Sequence, residues 1–85
     1  MRAKTQTLID RVYGEMLSHY RFLQATARQE HERYIIMRAA LDPEDEDEAH
    51  ELSFKADKAY AEVLQYERDI AQIKGMWEEE KLRGR

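Results

Sequence analysis

The sequence predicts an all-α fold, an antiparallel helical hairpin whose two long helices meet along a coiled-coil-like seam and which dimerises into a four-helix bundle. Three observations predict this fold class. Apolar residues recur at alternating steps of three and four in both halves of the chain, the single proline lies near the middle, and no strand-like alternation competes with the helical pattern. Eighty-five residues suffice for one domain, so we assign residues 1–85 to a single helical-hairpin domain.

The first helix is predicted over about residues 3–41. Its repeating positions define one side of the predicted seam: Ile9, Tyr13, Met16, Tyr20, Leu23, Ala27, Glu30, Tyr34, Met37 and Leu41. Glu30 is the only charged member of this series. Single polar residues at core positions set the register of many coiled coils, and we interpret Glu30 as such a residue.

The turn is predicted at about residues 41–43 and the second helix at about 43–82. Asp42 suits the N-cap, and Pro43 suits the first helical position because its φ is preset and its missing N–H costs nothing there. Five consecutive carboxylates then face the positive end of the helix dipole. We call them the acidic tip: Glu44, Asp45, Glu46, Asp47 and Glu48. The seam of this helix is predicted to contain Ala49, Leu52, Ala56, Ala59, Val63, Tyr66, Ile70, Ile73 and Trp77.

The two halves of the chain differ in charge. Residues 1–41 hold seven Lys/Arg against four Asp/Glu, a balance of +3, and residues 42–85 hold seven against fourteen, a balance of −7. A net charge of −4 argues against a general polyanion binder, so we expect nucleic acid to be an unlikely partner. One alternative function remains open, a small RNA-binding hairpin that uses the row Arg21, Arg28 and Arg38 of the first helix.

The expected location is the cytoplasm. The chain has no cysteine, which is compatible with a reducing compartment. Leu8 and Ile9 are followed at once by Asp10 and Arg11, so we expect no signal peptide. No uninterrupted apolar run is long enough to span a membrane, and we expect no membrane contact.

The chain lacks the residue patterns of common active sites. Ser18 and Ser53 are not followed by the glycines of a nucleophile elbow, and the three glycines are too scattered for a phosphate loop. We therefore predict a protein that is not an enzyme and has no catalytic residue, cofactor or metal. Another alternative remains open, a multimeric metal or small-molecule binder around Glu30 and His31.

Several side chains beside the predicted seam are suited to bind a partner. They cluster on one flank: Leu17, His31, Ile35, Tyr60, Leu64 and Ala71. An apolar flank beside a seam usually marks a further helix–helix contact, either with a second copy or with a foreign protein. We therefore predict a non-enzymatic inhibitor, adaptor or assembly factor, a type common among small regulators of phages and mobile elements, with the acidic tip as a secondary contact.

Overall fold

The protein is an all-α hairpin of two antiparallel helices of equal length. The computed structural model describes residues 2–84, with side chains from Thr5 onward. Helix α1 spans Arg2–Ala39 and helix α2 spans Glu46–Arg83, each with 38 residues. The predicted helical hairpin is therefore confirmed.

The molecule is a thin rod, which follows from pairing only two long helices. Its principal extents are 67 × 15 × 12 Å and its radius of gyration is 19.2 Å. A compact chain of this length would have a radius of gyration of about 12 Å. Neither helix, over the described range, combines the length and the apolar character that a membrane crossing requires.

The turn between the helices is longer than the sequence predicted. The amide of Asp45 donates to the carbonyl of Asp42 at 3.0 Å, which closes a β-turn with Pro43 at its second position. Asp42 is therefore not the N-cap; that position belongs to Asp45, whose side chain makes no capping hydrogen bond, and α2 begins at Glu46. The prediction was wrong because the fixed φ of proline fits the second position of a β-turn as well as the first position of a helix.

Helix α2 buries the face that the apolar spacing predicted. Six of the nine predicted seam residues are buried: Leu52, Ala56, Ala59, Val63, Ile70 and Ile73. The other three, Ala49, Tyr66 and Trp77, are half-buried. The prediction of this face was correct because every member of the series is apolar or aromatic, so only one stripe of α2 can form the core.

Helix α1 turns a somewhat different face toward its partner. From Thr5 onward, the buried residues of α1 are Leu17 and Ala27. Leu17 belongs to a series at seven-residue spacing that we call the inner line: Asp10, Leu17, Gln24 and His31. The residues one position earlier were predicted to lie in the seam, and we call them the outer line: Ile9, Met16, Leu23, Glu30 and Met37. Met16 is 36% exposed and Met37 43%. Relative to the prediction, α1 is rotated by roughly 50°, half of the step between neighbouring residues.

The inner line contacts α2 mainly through hydrogen bonds, which explains the rotation. Trp77 Nε1 donates to Asp10 Oδ1 at 2.6 Å, and Gln24 Nε2 donates to the carbonyl of Val63 at 3.3 Å. His31 Nδ1 lies 3.0 Å from the carbonyl of Ala56. Leu17 fills the remaining position. It packs with the buried core at the open end of the hairpin, the end where α1 begins and α2 finishes, and this core includes Ile70 and Ile73. Polar side chains of the inner line therefore face α2, where the apolar pattern predicted the residues of the outer line.

Candidate functional site

The tip half of the hairpin carries an aromatic and aliphatic cluster that we call the Tyr60 patch: His31, Ile35, Tyr60 and Leu64. Tyr60 is 51% exposed and Ile35 is 45% exposed, whereas His31 and Leu64 are half-buried. The His31 and Tyr60 rings join the two helices, with centroids 5.4 Å apart and planes inclined by 43°. Each helix adds a second apolar residue one turn further along, so the patch continues on both sides of the ring contact.

His31 supports one side of the Tyr60 ring. The carbonyl of Ala56 can only accept a hydrogen bond, so Nδ1 of His31 carries a proton and donates to it at 3.0 Å. This bond orients the imidazole, and the imidazole packs against Tyr60. As a result, one edge of the Tyr60 ring is supported by the protein while half of the side chain faces solvent.

Two other members of the predicted flank lie elsewhere. Leu17 is only 6% exposed and belongs to the core between the helices, so its assignment to a partner-binding surface was wrong. The inner line faces α2, and the rotation of α1 carries Leu17 inward with it. Ala71 is exposed, but it lies further toward the open end, in a groove with Arg21 and Arg28. The surface that remains accessible at the predicted flank is therefore the Tyr60 patch.

Two of the three arginines proposed for RNA contacts share one groove. Arg21 and Arg28 line a cavity of about 370 Å³ between the helices, which Gln24, Ile70 and Ala71 also line. Helix α2 adds Lys74 and Glu67 to its walls. Arg38 does not line this groove and lies in the last turn of α1, where a cation complements the helix dipole. The structure thus brings together a short basic groove rather than a continuous row.

Glu30 and His31 are neighbours in sequence but point in different directions. Glu30 is exposed at the edge of the seam, where it lines a cavity of about 250 Å³ with Lys55, Lys58 and Glu62. His31 instead faces the backbone of α2. Glu30 thus lies at the solvent-exposed edge of the seam, beside Ala59 and Lys55, rather than at a core position. Asp10, Gln24 and His31 make the side-chain hydrogen bonds across the hairpin. In the part of the chain that the structure describes, no three His, Cys, Asp or Glu side chains come close enough to hold a metal ion.

The acidic tip is fully solvent-facing. Glu44 to Glu48 are all exposed, and three of them, Glu46, Asp47 and Glu48, lie in the first turn of α2. Carboxylates at that place interact favourably with the positive end of the helix dipole. The tip is therefore explained as a helix start, and its unpaired negative field is available to a partner.

The open end contains a polar cluster that the sequence analysis missed. Asp10 accepts hydrogen bonds from Trp77 Nε1 at 2.6 Å and from Gln6 Nε2 at 3.0 Å. The bond from Trp77 is the main cause that lowers the pKa of Asp10 below its usual value of 3.8, with smaller contributions from Gln6 and Lys81 against an opposing effect of burial. The rings of Trp77 and Tyr13 stack with their centroids 6.1 Å apart. Nζ of Lys81 lies 4.3 Å from the centroid of the Trp77 ring. The cluster joins the first turns of α1 to the last turns of α2.

An apolar groove at the open end was also missed. It has a volume of about 310 Å³ and is lined by Leu8, Ile9, Val12, Tyr13, Met16 and Met76. Leu8 is 60% exposed and Val12 47%. The signal for this groove is in the sequence, because Ile9 and Met16 repeat at heptad spacing. That spacing was assigned to the contact between the two helices, so Ile9, Tyr13 and Met16 were expected to be covered by α2.

Comparison with known proteins gives no relative: no family model, curated protein or solved structure matches the chain.

Proposed function

We propose that the protein is a non-enzymatic binding module, acting as a small inhibitor, adaptor or assembly factor, that holds an amphipathic helix of another protein on the Tyr60 patch. The observation that carries this proposal is the half-exposed Tyr60 ring packed against His31, which is itself hydrogen-bonded to the carbonyl of Ala56. A surface residue without a function gains little from such support.

A supported aromatic ring suits a binding hot spot. Tyrosine is enriched among the residues that contribute most to interface affinity, and it offers a large contact area with only two side-chain torsions to immobilise. The contact with His31 restricts the Tyr60 ring before any partner arrives, so less conformational entropy is lost on binding. Ile35 and Leu64 provide apolar contacts beside it, as an interface centre requires.

The surroundings of the patch indicate the charge of the partner. The adjoining groove toward the open end carries three cations, Arg21, Arg28 and Lys74, against one carboxylate, Glu67. A helix that places apolar side chains on the patch would extend its polar edge over this groove. We therefore expect the partner helix to have acidic residues along that edge, because charge complementarity orients the two surfaces.

The experiment is photo-crosslinking in the native host, followed by reconstitution. A photoreactive amino acid at position 60 should trap one protein, and the purified partner should then bind the hairpin directly. The double variant Tyr60→Ala with Leu64→Ala should raise Kd at least about tenfold, mainly by faster dissociation. Phe22→Ala is the matched control, because Phe22 is 68% exposed on the outer face of α1 and should leave Kd unchanged.

Two outcomes contradict the proposal. Equal weakening by Phe22→Ala and by the double variant would show that the Tyr60 patch has no special role. Recovery of RNA that is lost on Arg28→Glu, while Tyr60→Ala has no effect, would replace the proposal with the RNA-binding alternative.

The acidic tip is proposed to act as a secondary, steering contact. Changing Glu44, Asp45, Glu46 and Asp47 to Gln or Asn should slow association and flatten its dependence on salt, with little change in dissociation. Surface plasmon resonance at two salt concentrations measures both rates. If the neutralised tip abolishes binding while the Tyr60 and Leu64 double variant binds normally, the tip is the principal binding surface instead.

A further inference from the structure

The hairpin exposes more surface than a stable monomer of its mass normally does. Its accessible surface is 6978 Å². Monomeric proteins of 10.2 kDa follow a size scaling that gives about 5,300 Å², so the excess is about 1,700 Å². Standard protein interfaces remove about 800 Å² from each partner, and obligate dimers remove more. The surplus is therefore of the size that association of two such chains would cover.

The outer line of α1 is the part of this surface with a regular pattern. Ile9, Met16, Leu23 and Met37 lie at multiples of seven residues, and Glu30 occupies the remaining position. Together they follow one edge of the rod for about 42 Å. Met16, Glu30 and Met37 are exposed, whereas Ile9 and Leu23 are half-buried. A heptad series that α2 covers only in part has the spacing of a second coiled-coil seam on the same helix.

We propose that this second seam is covered by the same seam of a second copy, with the two α1 helices antiparallel and a twofold axis beside Leu23. The pairing then matches every position of the outer line with another. Leu23 meets Leu23 of the second copy, Ile9 meets Met37, and Met16 meets Glu30. A twofold interface requires this kind of self-complementarity, in which each contact occurs twice. The product is an antiparallel four-helix bundle.

The distribution of charge selects the antiparallel arrangement. Residues 38–52, around the tip, hold seven Asp/Glu against one Arg, a balance of −6. By sequence, the two segments that end the chain, residues 1–11 and 75–85, hold six Lys/Arg against four Asp/Glu, a balance of +2. A parallel dimer would place two tips of the same charge side by side, whereas the antiparallel dimer places each tip beside the open end of the other copy. Charge complementarity along the rod therefore fits a second copy of this chain.

This interface lies on the other side of the hairpin from the Tyr60 patch. The grooves that contain outer-line residues are completed on α2 by Lys55, Lys58, Glu62 and Met76. The groove that adjoins the Tyr60 patch is completed by Glu67 and Lys74. Self-association and binding of a foreign helix therefore use different surfaces, and variants can separate them.

Single cysteines test the geometry directly, because the chain has none of its own. Under mild oxidation Leu23→Cys should form a disulfide-linked dimer, since the two residues meet at the axis. Phe22→Cys, one position away on the outer face, is the matched control and should stay monomeric. Ile9→Cys mixed with Met37→Cys should give the mixed disulfide, while neither variant alone should crosslink.

Sedimentation of variants without cysteine gives an independent measurement. Leu23→Asp should weaken the dimer at least about 100-fold while circular dichroism still shows a helical chain. Glu30→Leu completes the apolar series and should tighten the dimer about tenfold, a gain that misfolding cannot produce. The proposal is overturned if the unmodified protein remains monomeric at about 100 µM, if Ile9→Cys and Met37→Cys each crosslink with themselves, or if Tyr60→Cys crosslinks in place of Leu23→Cys.

Discussion

The two helices have equal length, but the apolar pattern determines which face of α2 packs inward and does not determine it for α1. Helix α2 has a single apolar stripe, and all six of its buried residues belong to that stripe. Helix α1 has two neighbouring candidate stripes, the inner line and the outer line, and among its described side chains only those of Leu17 and Ala27 are buried. The structure places the inner line against α2 and leaves much of the outer line exposed to solvent.

This difference teaches that apolar spacing alone does not orient a helix when polar side chains can bond across the contact. The outer line is the more apolar of the two, yet the inner line faces α2. Three of its side chains, those of Asp10, Gln24 and His31, bond to groups on α2 that are spaced by multiples of seven residues. A half-buried polar group costs free energy unless it is paired, so these bonds favour the inner line for the contact.

The largest difference in stability is expected between two single variants, one that places a charge on the inner line of α1 and one that places it on the outer line. Leu17→Asp should cost about 3–5 kcal/mol, because it buries an unpaired carboxylate, and the hairpin should lose most of its helical signal. Met16→Asp, one residue earlier, should cost less than about 1 kcal/mol in dilute solution because Met16 is already 36% exposed. Thermal unfolding followed by circular dichroism measures both.

Protein concentration provides the control for this pair. The defect of Leu17→Asp should be the same at every concentration, because its contacts lie within one chain. Any defect of Met16→Asp should grow with concentration if the outer line is an interface between copies. Equal and concentration-independent losses would place both lines in the same seam and remove the distinction between them.

How much the sequence could predict differs between the helices for the same reason. The hairpin and the face of α2 follow from spacing, because no polar residue interrupts that stripe. The rotation of α1 could not be read from spacing, because Gln24 and His31 look like surface residues until the carbonyls of Val63 and Ala56 are placed beside them. The same rotation buried Leu17 and exposed Glu30, which accounts for two of the errors at the candidate sites.

The next effect concerns pH at the open end, where an inner-line carboxylate meets the last turns of α2. Trp77→Phe removes the hydrogen bond to Asp10, so the pKa of this carboxyl should rise toward 3.8. In the natural protein the lowered pKa makes a stabilising contribution that is present above pH 3.8 and is lost as the pH falls through the folded-state pKa. The variant should therefore be less stable at pH 7 and should lose less stability on acidification.

Urea unfolding at pH 7 and pH 3, followed by circular dichroism, measures this difference, and NMR titration of the Asp10 carboxyl measures the pKa itself. Asp10→Asn is the matched control, since it removes the titrating group and should abolish the same part of the pH dependence. An Asp10 pKa that stays equally low in Trp77→Phe would show that Gln6 and Lys81, not Trp77, stabilise the charged form.

A smaller effect is expected at the middle of the inner line. Gln24→Leu removes a long hydrogen bond of 3.3 Å to a carbonyl that keeps its bond within α2, and it adds an apolar side chain to the seam. The free energy of unfolding should rise by about 1 kcal/mol. The preference for one rotation of α1 should fall, because an apolar residue at position 24 makes the inner line similar to the outer line. Chemical denaturation measures the free energy of unfolding. Sedimentation detects the loss of a single rotation of α1 as additional oligomers. Unchanged stability with a single oligomeric state would show that Gln24 does not select the rotation of α1.

The smallest effect should come from the charged member of the outer line. Glu30→Gln keeps the size of the side chain and removes its charge, and because Glu30 is exposed the free energy of unfolding should change by less than about 0.5 kcal/mol. The matched control is the reverse change on the inner line, Gln24→Glu, which places a carboxylate against the carbonyl of Val63 and should destabilise the hairpin several times more. Urea denaturation of both variants at low protein concentration makes the comparison. If Glu30→Gln changes stability more than Gln24→Glu does, the carboxylate of Glu30 lies inside the contact, and the outer line, not the inner line, faces α2.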